Sequence, residues 1–375
     1  MGLTSNASLT LAILFAVVLF GGTVWQWPRL ARPSWRAVGG RVGLLFATQL
    51  ALFATLGLAT NQAFGFYATW ADLFGQEDGQ GVVVDHNSPA GSGGPLRVVD
   101  TRRVKESGGS RPQNGGQVQR VDIVGRATHI ATPAYVYLPP EYFQPRYRTR
   151  TFPAAVVLTG YPGTAQALVD KLHYPRTALQ LAKDGRVQPM ILVMLRPTVA
   201  PPRDTECVDV PGGPQTESFF AEDLPEAVLA HYRVGRKPGS WGIIGDSTGG
   251  YCALKIAMHH PGVYAAGAGL SPYYKAPIDP TTGDLFQGDD EVRDRADLWW
   301  CLKHLPAPDT SLLVSSSRIG ESNYKDTLAF IRRVKATGLT RISSIILDSG
   351  GHNFNTWRRE IPGTLQWISG RLSGR

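Results

Sequence analysis

The chain has 375 residues, 43% of them hydrophobic, and a formal net charge of +8 at pH 7. This length suits one large domain or two small ones. No basic run is interleaved with aromatic residues and no nucleic-acid-binding module is visible, so the charge does not indicate nucleic-acid binding. A mildly basic surface near a membrane accounts for it more simply.

Two uncharged apolar segments near the N-terminus, residues 8–25 and 42–59, are each long enough to cross a bilayer as a helix. A cleaved signal peptide is the competing interpretation of the first segment. It fits poorly, because no Lys or Arg precedes the segment and no small-residue cleavage site follows it. A buried core helix is the alternative for either segment. The sequence predicts a membrane anchor over residues 1–75, formed by two transmembrane helices.

The charges around these segments predict how the anchor is oriented. The loop between the two segments carries four arginines, and acidic residues follow the second segment. Because cytoplasmic loops are enriched in Lys and Arg, we expect this loop in the cytoplasm and both ends of the helical hairpin outside. The chain is therefore predicted to be a multi-pass membrane protein with an extracytoplasmic C-terminal domain.

Residues 76–117 are rich in glycine, with prolines, mixed charge and no sustained periodicity. That composition is typical of a flexible tether. Two short apolar runs within it, GVVV and LRVV, are candidates for edge strands. The remaining residues, 118–375, are numerous enough for one domain with a substantial core.

From residue 118 onward, strand patterns alternate with helix patterns. Two outer strands come first, VQRVDIVG and TPAYVYLPPEYF. Buried apolar strands follow, namely FPAAVVLTG, PMILVML, WGIIGDS, YAAGAGLS, SLLVSSS and RISSIIL, with helical segments between most of them. Continuous apolar strands alternating with helices indicate an α/β fold whose mostly parallel sheet is covered by helices on both faces.

The stretch GDSTGG joins the strand WGIIGDS to a predicted helix. A sharp strand-to-helix turn strains the residue at its apex and needs small neighbours, which Gly245 and Gly249 supply. Such a turn holds the Ser247 hydroxyl clear of the sheet, beside the N-terminus of the helix. The pattern predicts that Ser247 is a nucleophile in an α/β-hydrolase fold; a glycine-rich turn with an incidental serine is the alternative.

A serine nucleophile needs a general base and a group that orients the base. Among eight histidines, His352 follows the last predicted strand and precedes the last predicted helix, where α/β-hydrolases place the base. The acid is expected after the strand SLLVSSS, where Glu321 and Asp326 are the candidates. We favour Glu321, because Asp326 falls in the first turn of a predicted helix. An acidic side chain there is explained by its favourable interaction with the helix dipole.

The oxyanion of the reaction needs two hydrogen-bond donors. In α/β-hydrolases one is the amide after the nucleophile, here that of Thr248. The other comes from the loop after the strand FPAAVVLTG, where the Tyr161 amide is the candidate because Pro162 has no N–H. A simple turn tyrosine is the alternative for Tyr161.

Three stretches, FPAAVVLTGYPG, GDSTGGYCALKIAMHHPGVYAAGAGLSPYY and GGHNFNTW, together resemble a family of esterases. It includes S-formylglutathione hydrolases, enterochelin-type esterases and the mycolyltransferases of mycobacteria. The resemblance covers residues 118–375 and implies Ser247 as nucleophile, His352 as base, Glu321 as acid, and the Tyr161 and Thr248 amides as oxyanion donors. The N-terminal hairpin is similar to that of membrane-anchored actinobacterial members.

The chain departs from this family at two positions. A charged residue, Asp246, directly precedes the nucleophile, and Pro162 stands where mycolyltransferases have a longer polar motif. Ester hydrolysis is therefore favoured over mycolyl transfer. The expected function is that of a membrane-anchored serine esterase acting on a small-molecule or lipid ester, with an acyltransferase and a catalytically silent envelope scaffold as the alternatives.

No metal or cofactor is expected, because no HExxH motif, phosphate loop or GxGxxG after a strand is present. An acid-rich stretch, residues 279–291, does not match a helix–loop–helix calcium loop and is predicted to be a solvated loop. His259 and His260 are interpreted as helix-terminal residues. Of the three cysteines, Cys207 and Cys301 are predicted to form a disulfide, which leaves Cys252 as a buried thiol.

Overall fold

A computed structural model describes residues 6–64, 94–103, 111–201 and 203–374. The chain divides into two compact units, Met1–Gln80 and Gly81–Arg375.

The described part of the N-terminal unit contains two long helices, α1 (Asn6–Gln26) and α2 (Trp35–Phe64), which pack against each other. Hydroxyl groups lie at their contact: the Oγ1 atoms of Thr23 and Thr48 are 3.0 Å apart. Both helices are long and apolar enough to cross a membrane, with mean hydropathy of 2.2 and 1.9. Only 11% of each apolar stretch is buried within the protein, which argues against the core-helix alternative for either one.

The C-terminal unit is built on a mixed sheet. In its described part the sheet has nine strands in the order β1-β2-β3-β5-β4-β6-β7-β8-β9. The strands are β1 (Leu96–Arg103), β2 (Gln117–Val124), β3 (Ala131–Leu138), β4 (Ala154–Leu158), β5 (Ile191–Leu195), β6 (Trp241–Asp246), β7 (Ala266–Leu270), β8 (Ser311–Ile319) and β9 (Arg341–Ser349). The pairings from β1 to β5 are antiparallel, and those from β5 through β4 to β9 are parallel.

Helices follow the parallel strands. They are α3 (Ala165–Asp170), α4 (Tyr174–Lys183), α5 (Leu224–His231), α6 (Thr248–His259), α7 (Asp290–Arg295), α8 (Leu298–His304), α9 (Tyr324–Lys335) and α10 (Phe354–Ser369). Shorter helical turns occupy Pro112–Gly115, Pro140–Phe143, Pro145–Tyr147, Thr216–Ser218, Phe219–Asp223 (a π-helix) and Pro238–Ser240.

The sheet separates two layers of hydrophobic core. Neighbouring residues of a strand point to opposite faces: Val156 of β4 belongs to one layer and Val157 to the other. Side chains of α5, α6 and α9 contribute to the first layer, whereas α3, α4 and α10 contribute to the second. The predicted α/β fold, a mostly parallel sheet with helices on both faces, is confirmed.

Part of the segment assigned to a flexible tether is a strand. Leu96–Arg103, which includes the run LRVV, forms β1 at the edge of the sheet and pairs with β2. Residues 76–93 and 104–110 of that segment, with the run GVVV, lie outside the described residues. The ordered sheet therefore begins N-terminal to residue 118.

The predicted Cys207–Cys301 disulfide is wrong. Cys207 is bonded to Cys252, with their Cα atoms 5.7 Å apart, and Cys301 is a buried free thiol. The loop after β5 lies along α6, where Lys255 Nζ donates to the Cys207 carbonyl at 2.6 Å. Residues 252 and 255 share one face of α6, so the bridge forms on that face. Cys301 lies in α8 and donates to the Arg295 carbonyl instead.

Candidate active site

Ser247 occupies a strained turn between β6 and α6. Its backbone has φ 54° and ψ −121°, a region that residues with a side chain seldom adopt. The Ser247 amide donates to the Leu270 carbonyl at 2.9 Å, and the Ser247 carbonyl accepts from Tyr251 at 3.0 Å. A Cβ on Gly249 would lie 2.5 Å from the Leu158 carbonyl oxygen, so only glycine fits there. The turn thus has the strand–turn–helix geometry predicted from GDSTGG.

His352 lies beside this serine. Its Nε2 is 2.8 Å from Ser247 Oγ, a hydrogen bond between residues 105 positions apart. The loop that carries it ends where the Asn353 side chain caps α10. The imidazole packs edge-on against Trp357, whose indole N–H donates to Ser271 Oγ at 3.0 Å. The helix cap and the contact with Trp357 therefore hold this loop in place. The imidazole itself is 51% exposed and accessible to a substrate.

Glu321 approaches the other side of the imidazole. Its Oε1 lies 3.7 Å from His352 Nδ1, and its Oε2 accepts the Ser317 amide at 2.8 Å. The carboxyl is buried, and Oε1 has no hydrogen-bond partner among the described residues. Among the described residues, the His352 imidazole is the one cation-forming group within 4.0 Å of this carboxyl.

Two glycines let the Glu321 loop and the His352 loop meet. Gly320 has φ 102°, and a Cβ there would lie 2.3 Å from the Gly350 carbonyl oxygen. The Gly350 amide donates to the Ile319 carbonyl at 3.0 Å. The alternative acid, Asp326, lies in the first turn of α9 with an exposed side chain and forms no hydrogen bond or ion pair within the described residues.

The two predicted oxyanion donors lie on segments that adjoin Ser247. Thr248 is the first residue of α6. Tyr161 belongs to the loop after β4 and precedes Pro162 through a cis peptide bond. The preceding residue, Gly160, is so close to the nucleophile that a Cβ on it would lie 2.9 Å from Ser247 Cβ. This loop therefore packs directly against the serine turn.

Asp246 joins the serine turn to the loop after β4. Its side chain is fully buried, and its Oδ2 accepts the Gly160 amide at 2.9 Å. Burial raises the pKa of this carboxyl to about 7, although the Gly160 hydrogen bond and His352 favour the ionised form. The sequence showed a charged residue beside the nucleophile, but its partner lies 86 residues away and could not be identified from the sequence.

Glu360 is a second buried acid behind the site, and it was not predicted from the sequence to be a functional residue. It lies on the inner face of α10 with no exposed surface, and Ser315 Oγ donates to its Oε2 at 2.8 Å. Burial raises the pKa of Glu360 to about 8, and the carboxylates of Glu321 and Asp246 contribute to the increase. The sequence did contain one signal for Glu360: an acidic residue among the apolar positions of the last predicted helix.

The remaining candidates lie apart from this group. His259 and His260 are at the C-terminal end of α6 and both contact Glu217, at 2.7 and 2.8 Å. Twelve residues at 1.5 Å each put that end of α6 about 18 Å from Ser247. In the acid-rich loop, Asp279 and Asp289 accept hydrogen bonds from backbone amides. Among the described residues no group of three or more His, Cys, Asp or Glu side chains is arranged to hold a metal.

Relatives of this chain are found both by sequence and by structure. A family model described as "Putative esterase" matches residues 126–368. A protein of Corynebacterium glutamicum, named only as uncharacterized, is 26% identical over 250 residues, covering 64% of this chain and 58% of that protein. The chain thus spans less than two thirds of the length of this curated relative.

Solved structures of three enzymes have a similar fold. A ferulic acid esterase aligns with a TM-score of 0.58 and 18% identity, over 68% of this chain and 98% of its own. The S-formylglutathione hydrolase of Agrobacterium tumefaciens gives 0.57 and 18%, over 71% and 99%. The fluorophosphonate-binding serine hydrolase F of Staphylococcus aureus gives 0.55 and 15%, over 68% and 98%. At these identities the similarity establishes the fold.

The family match covers more than half of the chain and contains the serine turn, the buried acid and the histidine loop. The chain therefore belongs to this esterase family, and its fold is that of the α/β-hydrolases.

Proposed function

We propose that this protein is a membrane-anchored, extracytoplasmic serine esterase that works through an acyl-enzyme, with Ser247, His352 and Glu321 as its catalytic triad. The observation that carries the proposal is the 2.8 Å hydrogen bond between Ser247 Oγ and His352 Nε2, with a buried carboxylate on the opposite side of the imidazole. A hydroxyl is a weak nucleophile at neutral pH, and an imidazole at this distance can remove its proton as it attacks.

In the acylation step, Ser247 Oγ attacks the ester carbonyl carbon while His352 Nε2 takes the serine proton. The carbonyl oxygen becomes an oxyanion, for which the backbone amides of Tyr161 and Thr248 are the proposed donors. The C–O bond to the alcohol then breaks, and His352 transfers its proton to the leaving alcohol. The acyl group remains on Ser247 as an ester.

In the deacylation step, His352 takes a proton from water as the water attacks the acyl-enzyme. Collapse of the second tetrahedral intermediate releases the carboxylic acid and returns the proton to Ser247. In both steps Glu321 stabilises the imidazolium that forms and holds the ring in one orientation. Its Oε1 has no hydrogen-bond partner among the described residues and lies 3.7 Å from His352 Nδ1, which leaves it available for this role.

The membrane part of the proposal rests on α1 and α2 and on the four arginines between the apolar segments. Positive loops remain on the cytoplasmic side, so the catalytic unit would follow the second helix on the outer side. Protease added to intact cells should then release a soluble esterase fragment. Complete protection in intact cells, with cleavage only after lysis, would contradict the outward orientation.

The catalytic assignment can be tested with the full-length protein purified in detergent. A fluorophosphonate probe should label the wild type and Ser344→Ala, in which an exposed serine of β9 is removed, but not Ser247→Ala. Hydrolysis of p-nitrophenyl esters should be lost in Ser247→Ala and in His352→Ala. It should persist in His260→Ala, which alters a histidine at the far end of α6. Labelling of Ser247→Ala would refute the nucleophile, and an unlabelled wild type would favour a silent scaffold.

The same assay distinguishes hydrolysis from acyl transfer. Ester hydrolysis releases free acid at a rate that an added sugar or glycerol acceptor does not change. An acyltransferase would instead form a new ester with the acceptor, because the acceptor alcohol competes with water for the acyl-enzyme. Product analysis by mass spectrometry with and without acceptor separates the two.

A further inference from the structure

Glu360 is a buried acid that takes no part in the mechanism proposed above. It lies on the inner face of α10 among apolar side chains and has no exposed surface. Removing a carboxyl group from water costs free energy, and burial raises the pKa of Glu360 to about 8, so that the group is mainly neutral at pH 7. An apolar residue of similar size would avoid this cost. Stability alone therefore does not account for the acid.

A chain of hydrogen bonds joins Glu360 to the residue that packs against the catalytic histidine. Ser315 Oγ donates to Glu360 Oε2 at 2.8 Å and accepts the Ser271 amide at 3.0 Å. Ser271 Oγ accepts the indole N–H of Trp357 at 3.0 Å. The Trp357 ring lies edge-on to the His352 imidazole, with the ring centres 5.2 Å apart. The contacts are thus continuous from Glu360 to His352.

Both ends of this hydrogen-bond chain belong to α10. Glu360 and Trp357 are three residues apart, so their side chains lie on the same face of the helix. Glu360 is joined to Ser315 in β8, and Trp357 to Ser271, which directly follows the neighbouring strand β7. Both serines are buried, so water does not compete for these contacts. Two polar contacts therefore attach α10 to two adjacent strands.

These hydrogen bonds restrain the helix in a way that apolar packing does not. Apolar side chains attract one another without a preferred direction. A hydrogen bond, in contrast, needs a narrow range of distance and angle between donor and acceptor. His352 directly precedes Asn353, whose side chain caps α10. A shift or rotation of α10 would therefore move the imidazole.

We propose that Glu360 is a positioning residue for His352, acting through the hydrogen-bond chain that ends at Trp357. The chain fixes α10 where the imidazole Nε2 lies at hydrogen-bonding distance from Ser247 Oγ. This role depends on the proposed function of His352 as the general base. A small displacement of a catalytic group slows a reaction without weakening substrate binding. Loss of the contact should therefore lower kcat and leave KM unchanged.

Two replacements of Glu360 test the role in the full-length protein in detergent, with p-nitrophenyl esters at pH 7. Glu360→Met has a side chain of similar length that cannot accept a hydrogen bond, and we expect its kcat to fall about tenfold with KM unchanged. Glu360→Gln keeps an oxygen acceptor for Ser315 and should retain most of kcat. Gln366→Met is the matched control on α10: it removes an exposed contact with Arg186 and should leave kcat unchanged.

A double variant tests whether the contacts act as one chain. Ser315→Ala breaks the chain in its middle and should lower kcat to a similar extent, again with KM unchanged. It also tests the link on its own if Glu360→Met does not fold. The double variant Glu360→Met, Ser315→Ala should be about as slow as either single variant, because changes that interrupt one path are not additive. Thermal unfolding well above the assay temperature confirms that each variant is folded.

The outcomes separate this role from the proposed function. Wild-type kcat in Glu360→Met and Ser315→Ala, or effects that multiply in the double variant, would overturn the role of Glu360. An equal fall in kcat in Gln366→Met would also overturn it, because any lost polar contact of α10 would then suffice. A wild type that neither hydrolyses esters nor reacts with a fluorophosphonate would instead refute the esterase function, and the role of Glu360 with it.

Discussion

The carboxylate of Asp246 accepts a hydrogen bond from the Gly160 amide at 2.9 Å, and so links the residue before the nucleophile to the loop after β4. Gly160 is itself packed against Ser247 Cβ, and Tyr161 follows it. Asp246 is therefore placed to position the loop that supplies the proposed oxyanion donor, without contacting the substrate.

Removal of this link should lower the rate of turnover. Asp246→Ala leaves the Gly160 amide buried without an acceptor, so we expect kcat to fall about tenfold, which corresponds to about 1.4 kcal/mol of lost transition-state stabilisation. Asp246→Asn keeps an oxygen acceptor and should retain most of kcat. Ester hydrolysis with steady-state kinetics measures both variants. Equal activity of Asp246→Ala and wild type would show that the link does not position the loop.

Neutralisation of Glu321 should be severe. Glu321→Gln keeps the size of the side chain but removes the charge that faces His352 Nδ1, so we expect kcat to fall by about 10³–10⁴, as in other triads that lose the orienting acid. Asp326→Asn is the matched control, since Asp326 is exposed and makes no contact with the imidazole. The opposite ranking of the two variants would transfer the role to Asp326.

Glu360 should make the stability of the fold depend on pH. Because its pKa is raised from 4.5 to about 8 in the folded chain, the folded state binds this proton more tightly than the unfolded state does. The contribution of Glu360 to the free energy of unfolding is therefore greatest below about pH 4.5, declines as the pH rises towards 8, and is lost above that value.

Replacement of Glu360 should remove this dependence. Glu360→Gln is neutral at every pH, so we expect it to be more stable than wild type at pH 8 by about 1–3 kcal/mol. At pH 5 the two should be nearly equal. Thermal unfolding from pH 5 to pH 8 tests this, with Glu226→Gln, a change to an exposed carboxylate on α5, as the control. Equal pH profiles for Glu360→Gln and wild type would contradict the prediction.

The disulfide between Cys207 and Cys252 should stabilise the fold. It closes a loop with a sequence separation of 45 residues, for which the chain-entropy relation gives a stabilisation of about 4 kcal/mol. Cys252→Ser and treatment with reductant should lower the unfolding midpoint to a similar extent. Cys301→Ser should retain the sensitivity of the wild type to reductant. Peptide mapping under non-reducing conditions that finds all three thiols free would refute the bridge.

The sequence predicted the features that depend on local pattern. The alternation of buried strands and helices determined the α/β fold, because the period of apolar residues reflects the faces on which each element is buried. The turn around Ser247 could be predicted for the same reason: GDSTGG contains the glycines required at a sharp strand-to-helix turn. The predicted strands that His352 and Glu321 follow then placed both residues at the carboxyl end of the sheet, since parallel strands have their carboxyl ends on one side.

The tertiary structure alone decided which side chains meet across the fold. Cys207 pairs with Cys252 rather than Cys301 because the loop after β5 lies along one face of α6, and no local pattern determines the course of that loop. Asp246 and Gly160, or Glu360 and Ser315, come from elements far apart in the chain. Their contacts depend on how helices pack on the sheet, and a difference of a few ångströms changes the partner.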